Sequence, residues 1–201
     1  MNNKLLALLL TTCTLPAFAD FSGKVGYVSD YMYRGATQTM GTGTVQMDLM
    51  YEKGGLYGGV WASEVDFGDE ATYELDFYGG YKLNLSDKWS VDVGVLQYNW
   101  DKGYADVEEA YVRTNYNNLS VGYNVVMGDS DQKFMEVGYK LPFIQWADVK
   151  LGYGRFDADN TFGKLSVSKM VGKFWVGVEI MDEARQGQFS DHASLGVFYP
   201  F

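Results

Sequence analysis

His192-Ala193-Ser194-Leu195-Gly196-Val197-Phe198-Tyr199-Pro200-Phe201 ends the chain. Ala193, Leu195, Val197, Tyr199 and Phe201 fall on one parity, and His192, Ser194, Gly196 and Phe198 on the other. Side chains alternate faces along a strand. A strand that is apolar outward, mixed inward and finished by Phe is therefore how a bacterial outer-membrane barrel closes. The reading depends on whether the rest of the chain repeats it.

It does. Val45, Met47, Leu49 and Tyr51 oppose Thr44, Gln46, Asp48 and Met50; Tyr73, Leu75, Phe77, Tyr81 and Leu83 oppose Glu74, Asp76, Tyr78, Lys82 and Asn84. Val91, Val93 and Val95 oppose Ser90, Asp92 and Gly94 in the same way. Clusters of Gly, Asp, Asn, Lys and Ser separate such segments, which is the hairpin signal. The pattern predicts an all-β, antiparallel transmembrane barrel of twelve strands, near 21–34, 42–52, 56–67, 72–85, 89–100, 105–115, 119–127, 133–141, 147–156, 161–170, 173–182 and 191–201. Two segments fit poorly. Val107 and Ala110 fall on opposite faces, and Phe162 disagrees with Leu165 and Val167.

A soluble sandwich or lipocalin-like barrel alternates as well. The leader favours lipid. Lys4, the apolar run Leu5 to Leu10 and Ala17-Phe18-Ala19 before Asp20 read as a secretory signal over 1–19, leaving the barrel over 20–201. Cys13, the one cysteine, falls inside that leader behind a poor lipobox, so the exported chain has no disulfide. Aromatic residues near strand ends (Tyr57, Tyr73, Trp89, Trp146 and Tyr199) suit the headgroup belts of a membrane. The location implied is the outer membrane of a Gram-negative bacterium, with its lipids as partners.

A formal charge of −10, one unit more negative once Lys4 is removed, excludes nucleic acid as a partner, because phosphate binding needs a basic footprint. With both termini on the periplasmic side, the external connections carry Asp66, Asp69, Glu70, Asp101, Asp106, Asp129, Asp131, Asp157, Asp159, Asp182, Glu183 and Asp191. The opposite turns carry Lys53, Lys88 and Lys173, with Asp87 as the acidic exception. An acidic rim concentrates cations and could hold divalent ions loosely against anionic headgroups, although no loop has calcium-loop spacing. No metal site or cofactor is expected. The external connections read as too short for a plug, so narrowing is expected from the wall of a barrel with a backbone radius of about 12 Å.

The expected wall charges are Asp30, Arg34, Asp48, Glu64, Asp66, Glu74, Asp76, Lys82 and Asp92. Glu64, Asp66, Glu74 and Asp76 on one hairpin repel unless cations, shared protons, Arg34 or lysines such as Lys82 offset them. That set reads either as a cation-attracting constriction or as an internal salt-bridge network that shuts the barrel.

Three runs carry a family resemblance: Ser29-Asp30-Tyr31-Met32-Tyr33-Arg34-Gly35-Ala36-Thr37-Gln38-Thr39, Gly58-Gly59-Val60-Trp61-Ala62-Ser63-Glu64-Val65-Asp66-Phe67, and Glu74-Leu75-Asp76-Phe77-Tyr78-Gly79-Gly80-Tyr81. They resemble the motifs of the TorF porin family, a conserved proteobacterial group of outer-membrane barrels. The chain departs from that pattern at Thr37, where serine is common, at Glu64, where asparagine is common, and in having no proline in the first external loop. The resemblance implies an outer-membrane barrel with a transport role and no particular substrate.

One enzymatic lead exists. His192-Ala193-Ser194 matches the His-x-Ser of outer-membrane lipid A deacylases. Its parity opposes Leu195 and Val197, so both groups are expected in the lumen, away from lipid. The expectation is therefore a non-enzymatic, porin-like barrel for passive diffusion of small cationic or neutral solutes. The alternative is a closed structural or surface-contact barrel, with a lipid-modifying enzyme third. No pattern in the sequence sets an oligomeric state.

Overall fold

The structure is a computed structural model that describes residues 21–128, 132–156, 160–185 and 188–201. The expected leader, residues 1–19, and Asp129, Asp131, Asp157 and Asp159 lie outside the described residues. Twelve strands form a closed antiparallel barrel. They are β1 (Phe21–Val28), β4 (Thr44–Lys53), β5 (Leu56–Glu64), β6 (Tyr73–Ser86), β7 (Trp89–Trp100), β8 (Val107–Tyr116), β9 (Leu119–Val126), β10 (Lys133–Lys140), β11 (Asp148–Arg155), β12 (Asn160–Val171), β13 (Phe174–Arg185) and β14 (Gln188–Pro200). Each pairs with its neighbour in the chain, and β1 pairs with β14 to shut the ring. At that seam Phe201 adds a last rung, exchanging two backbone hydrogen bonds of 2.9 Å with Gly23.

The parity reading fixes the outside. Val45, Met47 and Leu49 face out, as do Val93, Val95, Leu195 and Val197, all substantially exposed. An apolar outer ring of this kind is the face that a barrel presents to hydrocarbon, not one that a soluble barrel presents to water. Aromatic pairs sit on it at the turn end: Phe21 with Tyr51 at 4.9 Å and Phe174 with Tyr199 at 5.8 Å. Tyr57 departs from the expected belt. It points into the lumen, where its hydroxyl donates to Asp92 at 2.6 Å.

Turns at the end that holds the termini are two residues long, except for the seven-residue connection 141–147 between β10 and β11. Gly54 and Gly55 carry φ of 60° and 87°, the pair of positive values that a two-residue type I′ hairpin requires. The opposite end carries longer connections, and one of them overturns the expectation of short, non-plugging loops. The first strand stops at Val28 instead of running to 34, and residues 29–43 fold back as a second, two-stranded sheet of β2 (Met32–Tyr33) and β3 (Ala36–Thr37). The physical reason lies at its tip. Arg34 and Gly35 both take positive φ, 48° and 95°, so the chain makes a hairpin where period-two alternation alone would extend a strand.

Candidate functional site

The β2–β3 hairpin crosses the lumen. Its base is tied to the seam: the Ser29 amide donates to the Leu195 carbonyl at 2.8 Å, the Leu195 amide to the Ser29 hydroxyl at 2.9 Å, and the Ser194 hydroxyl to the Asp30 carbonyl at 2.6 Å. The Asp30 carboxylate then gathers the returning arm, accepting from Thr37 at 2.6 Å and Thr39 at 3.0 Å. Side-chain acceptors of this kind stabilise a connection that has few ladder bonds of its own.

The tip docks on the far wall. Arg34 donates both guanidinium nitrogens to Glu109 of β8 at 2.7 Å each, and the two side chains are only 10% and 4% exposed. Glu109 also accepts from Tyr98 at 3.1 Å and Asn124 at 3.0 Å, so the buried carboxylate is well supplied with donors. The guanidinium lies over the rings of Phe134 at 4.2 Å and Phe156 at 5.6 Å. Met32 packs on the cluster of Phe134, Phe162 and Met181. A Cβ at Gly35 would stand 2.9 Å from the Phe162 Cβ, which leaves room there for glycine alone. Nearer the base, Tyr31 donates to Glu74 at 3.3 Å and Tyr33 bonds Tyr98.

The structure sorts the expected wall charges into three groups. Asp48, Asp76, Lys82 and Asp92 line the lumen between the hairpin and the turn end, and Glu74 faces inward, buried. Asp30 and Arg34 belong to the hairpin and not to the wall. They do not share a strand face, and Arg34 meets Glu109, not the carboxylates of the third and fourth strands. Glu64 does not line the lumen as expected. It is exposed, shares parity with Val60 and Ala62, and is the register partner of the outward Tyr73. It is the last residue of its strand, where an exposed carboxylate is solvated. Asp66 is likewise exposed in the rim, where it accepts from the Gly68 amide at 2.9 Å.

The narrowing expected from the wall thus comes from the hairpin together with wall residues that the sequence reading did not place in the lumen: Glu109, Tyr57, Tyr98, Tyr111 and Trp61. Their signal was parity. Each lies inward on its strand, and tyrosines lie flat over glycines of the next strand, as Tyr111 does over Gly94. Below the hairpin the lumen remains hollow. A cavity of about 370 Å³ lies directly beneath it, and one of about 420 Å³ nearer the turn end shares Trp61, Asp76 and Leu96 with it. Asp48 accepts from Tyr78 at 2.7 Å there, and Lys82 and Arg113 supply the opposite sign.

At the rim, acidic side chains staple two loops together. Asp101 accepts the Thr72 amide at 2.8 Å and the Thr72 hydroxyl at 2.7 Å, and these bonds hold its carboxyl down at about 2. Asp69 is lowered by the Tyr104 hydroxyl at 2.5 Å and by the Ala71 amide. Among the described residues no group of three or more His, Cys, Asp or Glu side chains could hold a metal ion.

A family model described as "Bacterial protein of unknown function (Gcw_chp)" matches residues 15–175. The chain belongs to this family. The matched part contains the hairpin and its far-wall partners Glu109, Phe134 and Phe162, whereas Met181, Ser194 and Leu195 lie beyond it. Among curated proteins none matches. Solved structures share the fold. The KdgM porin in complex with disordered oligogalacturonate is 12% identical with a TM-score of 0.63, and the KdgM porin alone is 13% identical with a TM-score of 0.62. Each comparison covers 90% of this chain and 99% of the other. A structure from work on the in-meso crystallization of membrane proteins is similar at 10% identity and a TM-score of 0.66, covering 90% of this chain and 83% of that one.

Proposed function

We propose that this Gcw_chp protein is a porin-like channel of the Gram-negative outer membrane, passing small cationic or neutral solutes, with the β2–β3 hairpin as its constriction. The observation that carries the reading is the hollow, polar lumen inside a closed barrel whose outside is apolar, narrowed by a segment of its own chain. The fold shared with the KdgM porin and the resemblance of Ser29–Thr39 to the TorF motif support it. Lipid contacts the apolar belt, and the acidic rim concentrates cations, including loosely held divalent ions, at the mouth. Catalysis has little to work with. The Ser194 hydroxyl is committed to the Asp30 carbonyl at 2.6 Å, and both His192 and Ser194 lie on the lumen parity away from lipid.

The Arg34–Glu109 clasp favours one competing reading, a barrel held permanently shut. Conductance separates the two. Reconstituted in planar bilayers, the protein should carry current with a reversal potential displaced toward the cation equilibrium. Silent membranes support the closed barrel, and anion preference refutes the proposed selectivity.

A further inference from the structure

The cavity beneath the hairpin differs from the rest of the lumen in its chemistry. Tyr31, Trp61, Tyr98 and Trp175 present rings to it, and none of the described residues lining it is basic. Its carboxylates are Asp30, Asp76 and Glu179. Two are engaged: Asp30 takes the Thr37 and Thr39 hydroxyls, and Glu179 faces Lys164 at 3.6 Å. Asp76 is only half engaged. It is 6% exposed, the Asn99 backbone donates to its carboxylate, its Oδ1 has no hydrogen-bond partner, and Glu74, two residues along the same face, adds a second buried carboxylate of like sign. A buried carboxylate oxygen without a donor is costly and is stabilised by a cation. Rings attract a cation through their negative faces.

We propose that this cavity binds a small organic cation of the substituted-ammonium class, with Asp76 as its counter-charge and Trp61 and Trp175 as its walls. The inference rests on reading the lumen as a path for cations and names the solute class. A compact inorganic ion would surrender its hydration to ring faces that cannot replace it, and no group of three acidic or imidazole ligands converges among the described residues. An anionic solute would meet carboxylates with no basic residue to pair with. A substituted ammonium ion is weakly hydrated, spreads its charge over methyl groups and fits a space of about 370 Å³.

The test is titration calorimetry on the folded barrel in detergent micelles. Tetramethylammonium chloride is the probe, with sodium chloride at matched ionic strength and sodium acetate as comparisons. Saturable one-to-one binding of tetramethylammonium alone is expected, weakened at least tenfold by Asp76→Asn and severalfold by Trp61→Leu, with Lys53→Gln unchanged. Absence of saturable binding, wild-type affinity in both site variants, or acetate binding in its place overturns the proposal. If Asp76→Asn does not fold, Trp61→Leu decides by itself. Binding in micelles does not require current, so a barrel that conducts without binding refutes this site alone. One that binds without conducting refutes the channel reading alone.

Discussion

Arg34→Ala tests whether the hairpin closes the lumen. The substitution removes both 2.7 Å bonds to Glu109 and leaves that carboxylate, 4% exposed, with only Tyr98 and Asn124 as donors. Breaking a buried ion pair from one side costs about 3–5 kcal/mol, because the stranded charge stays desolvated. At about 1.4 kcal/mol per tenfold, the ratio of docked to undocked tip falls roughly a hundredfold to a few thousandfold. The base should hold, since Ser29 and Asp30 keep their bonds to Leu195 and Ser194. The barrel should therefore stay folded while the tip swings free.

Single-channel recording in planar bilayers reads the consequence. Arg34→Ala should show a long-lived state of higher conductance that the parent protein visits rarely. Arg34→Ala with Glu109→Leu removes the stranded charge and, with Met32 still able to pack on Phe134 and Phe162, should recover much of the parent behaviour. Traces of Arg34→Ala identical to the parent, or a double variant as open as the single one, would refute the hairpin as the constriction.

Three further outcomes follow from the packing. The Asp101 carboxyl, held at about 2 mainly by the Thr72 amide, contributes loop order that is present above its unfolded value near pH 4 and lost as pH falls toward 2. Hydrogen exchange at Thr72 should accelerate across that window, and unchanged protection at pH 2 would count against the staple. Gly94→Val places a Cβ 2.5 Å from the Gly79 carbonyl and 2.6 Å from the Tyr111 ring, an overpacking that costs about 1–3 kcal/mol. Its urea midpoint in micelles should drop, and an unmoved midpoint would contradict the tight tyrosine-on-glycine fit. Deleting Phe201 removes two backbone bonds at the seam, together worth about 1–3 kcal/mol, and should lower the folded yield measured by heat-modifiable gel mobility.

Most of the barrel was legible because hydrocarbon outside and polar lumen inside force every strand into the same period of two. Val45 to Tyr51 and Tyr73 to Leu85 could be assigned to faces without any knowledge of their partners. The hairpin escaped for a physical reason. Tyr31 and Tyr33 alternate with Asp30, Met32 and Arg34 just as a strand would, and only the Arg34-Gly35 pair signals the reversal. Glu64 shows the opposite failure. Grouped by parity with Asp66, Glu74 and Asp76 it falls in the lumen, but the register pairs Ser63 with the inward Glu74 and Glu64 with the outward Tyr73, so on its own strand Glu64 falls on the outer parity.

The two segments that fitted the alternation worst are the ones the hairpin docks on. Phe162 breaks the apolar parity of its strand because it faces inward beneath Gly35. Val107 and Ala110 disagree because that strand turns Glu109 inward to meet Arg34. An inward phenylalanine or a buried glutamate makes little sense in a water-filled wall, and each becomes favourable only when something covers it. The base of the hairpin is bonded to β14 and its tip to β8, with Met32 packed against β10, β12 and β13. In the ring β8 lies across from the seam while β13 and β12 follow directly after β14, so the hairpin ties the seam both to its neighbouring strands and to the opposite wall. The segment that narrows the lumen thus also bridges the ring from its seam to the opposite wall, and the inward Phe162 and Glu109 are the imprint of that contact on their strands.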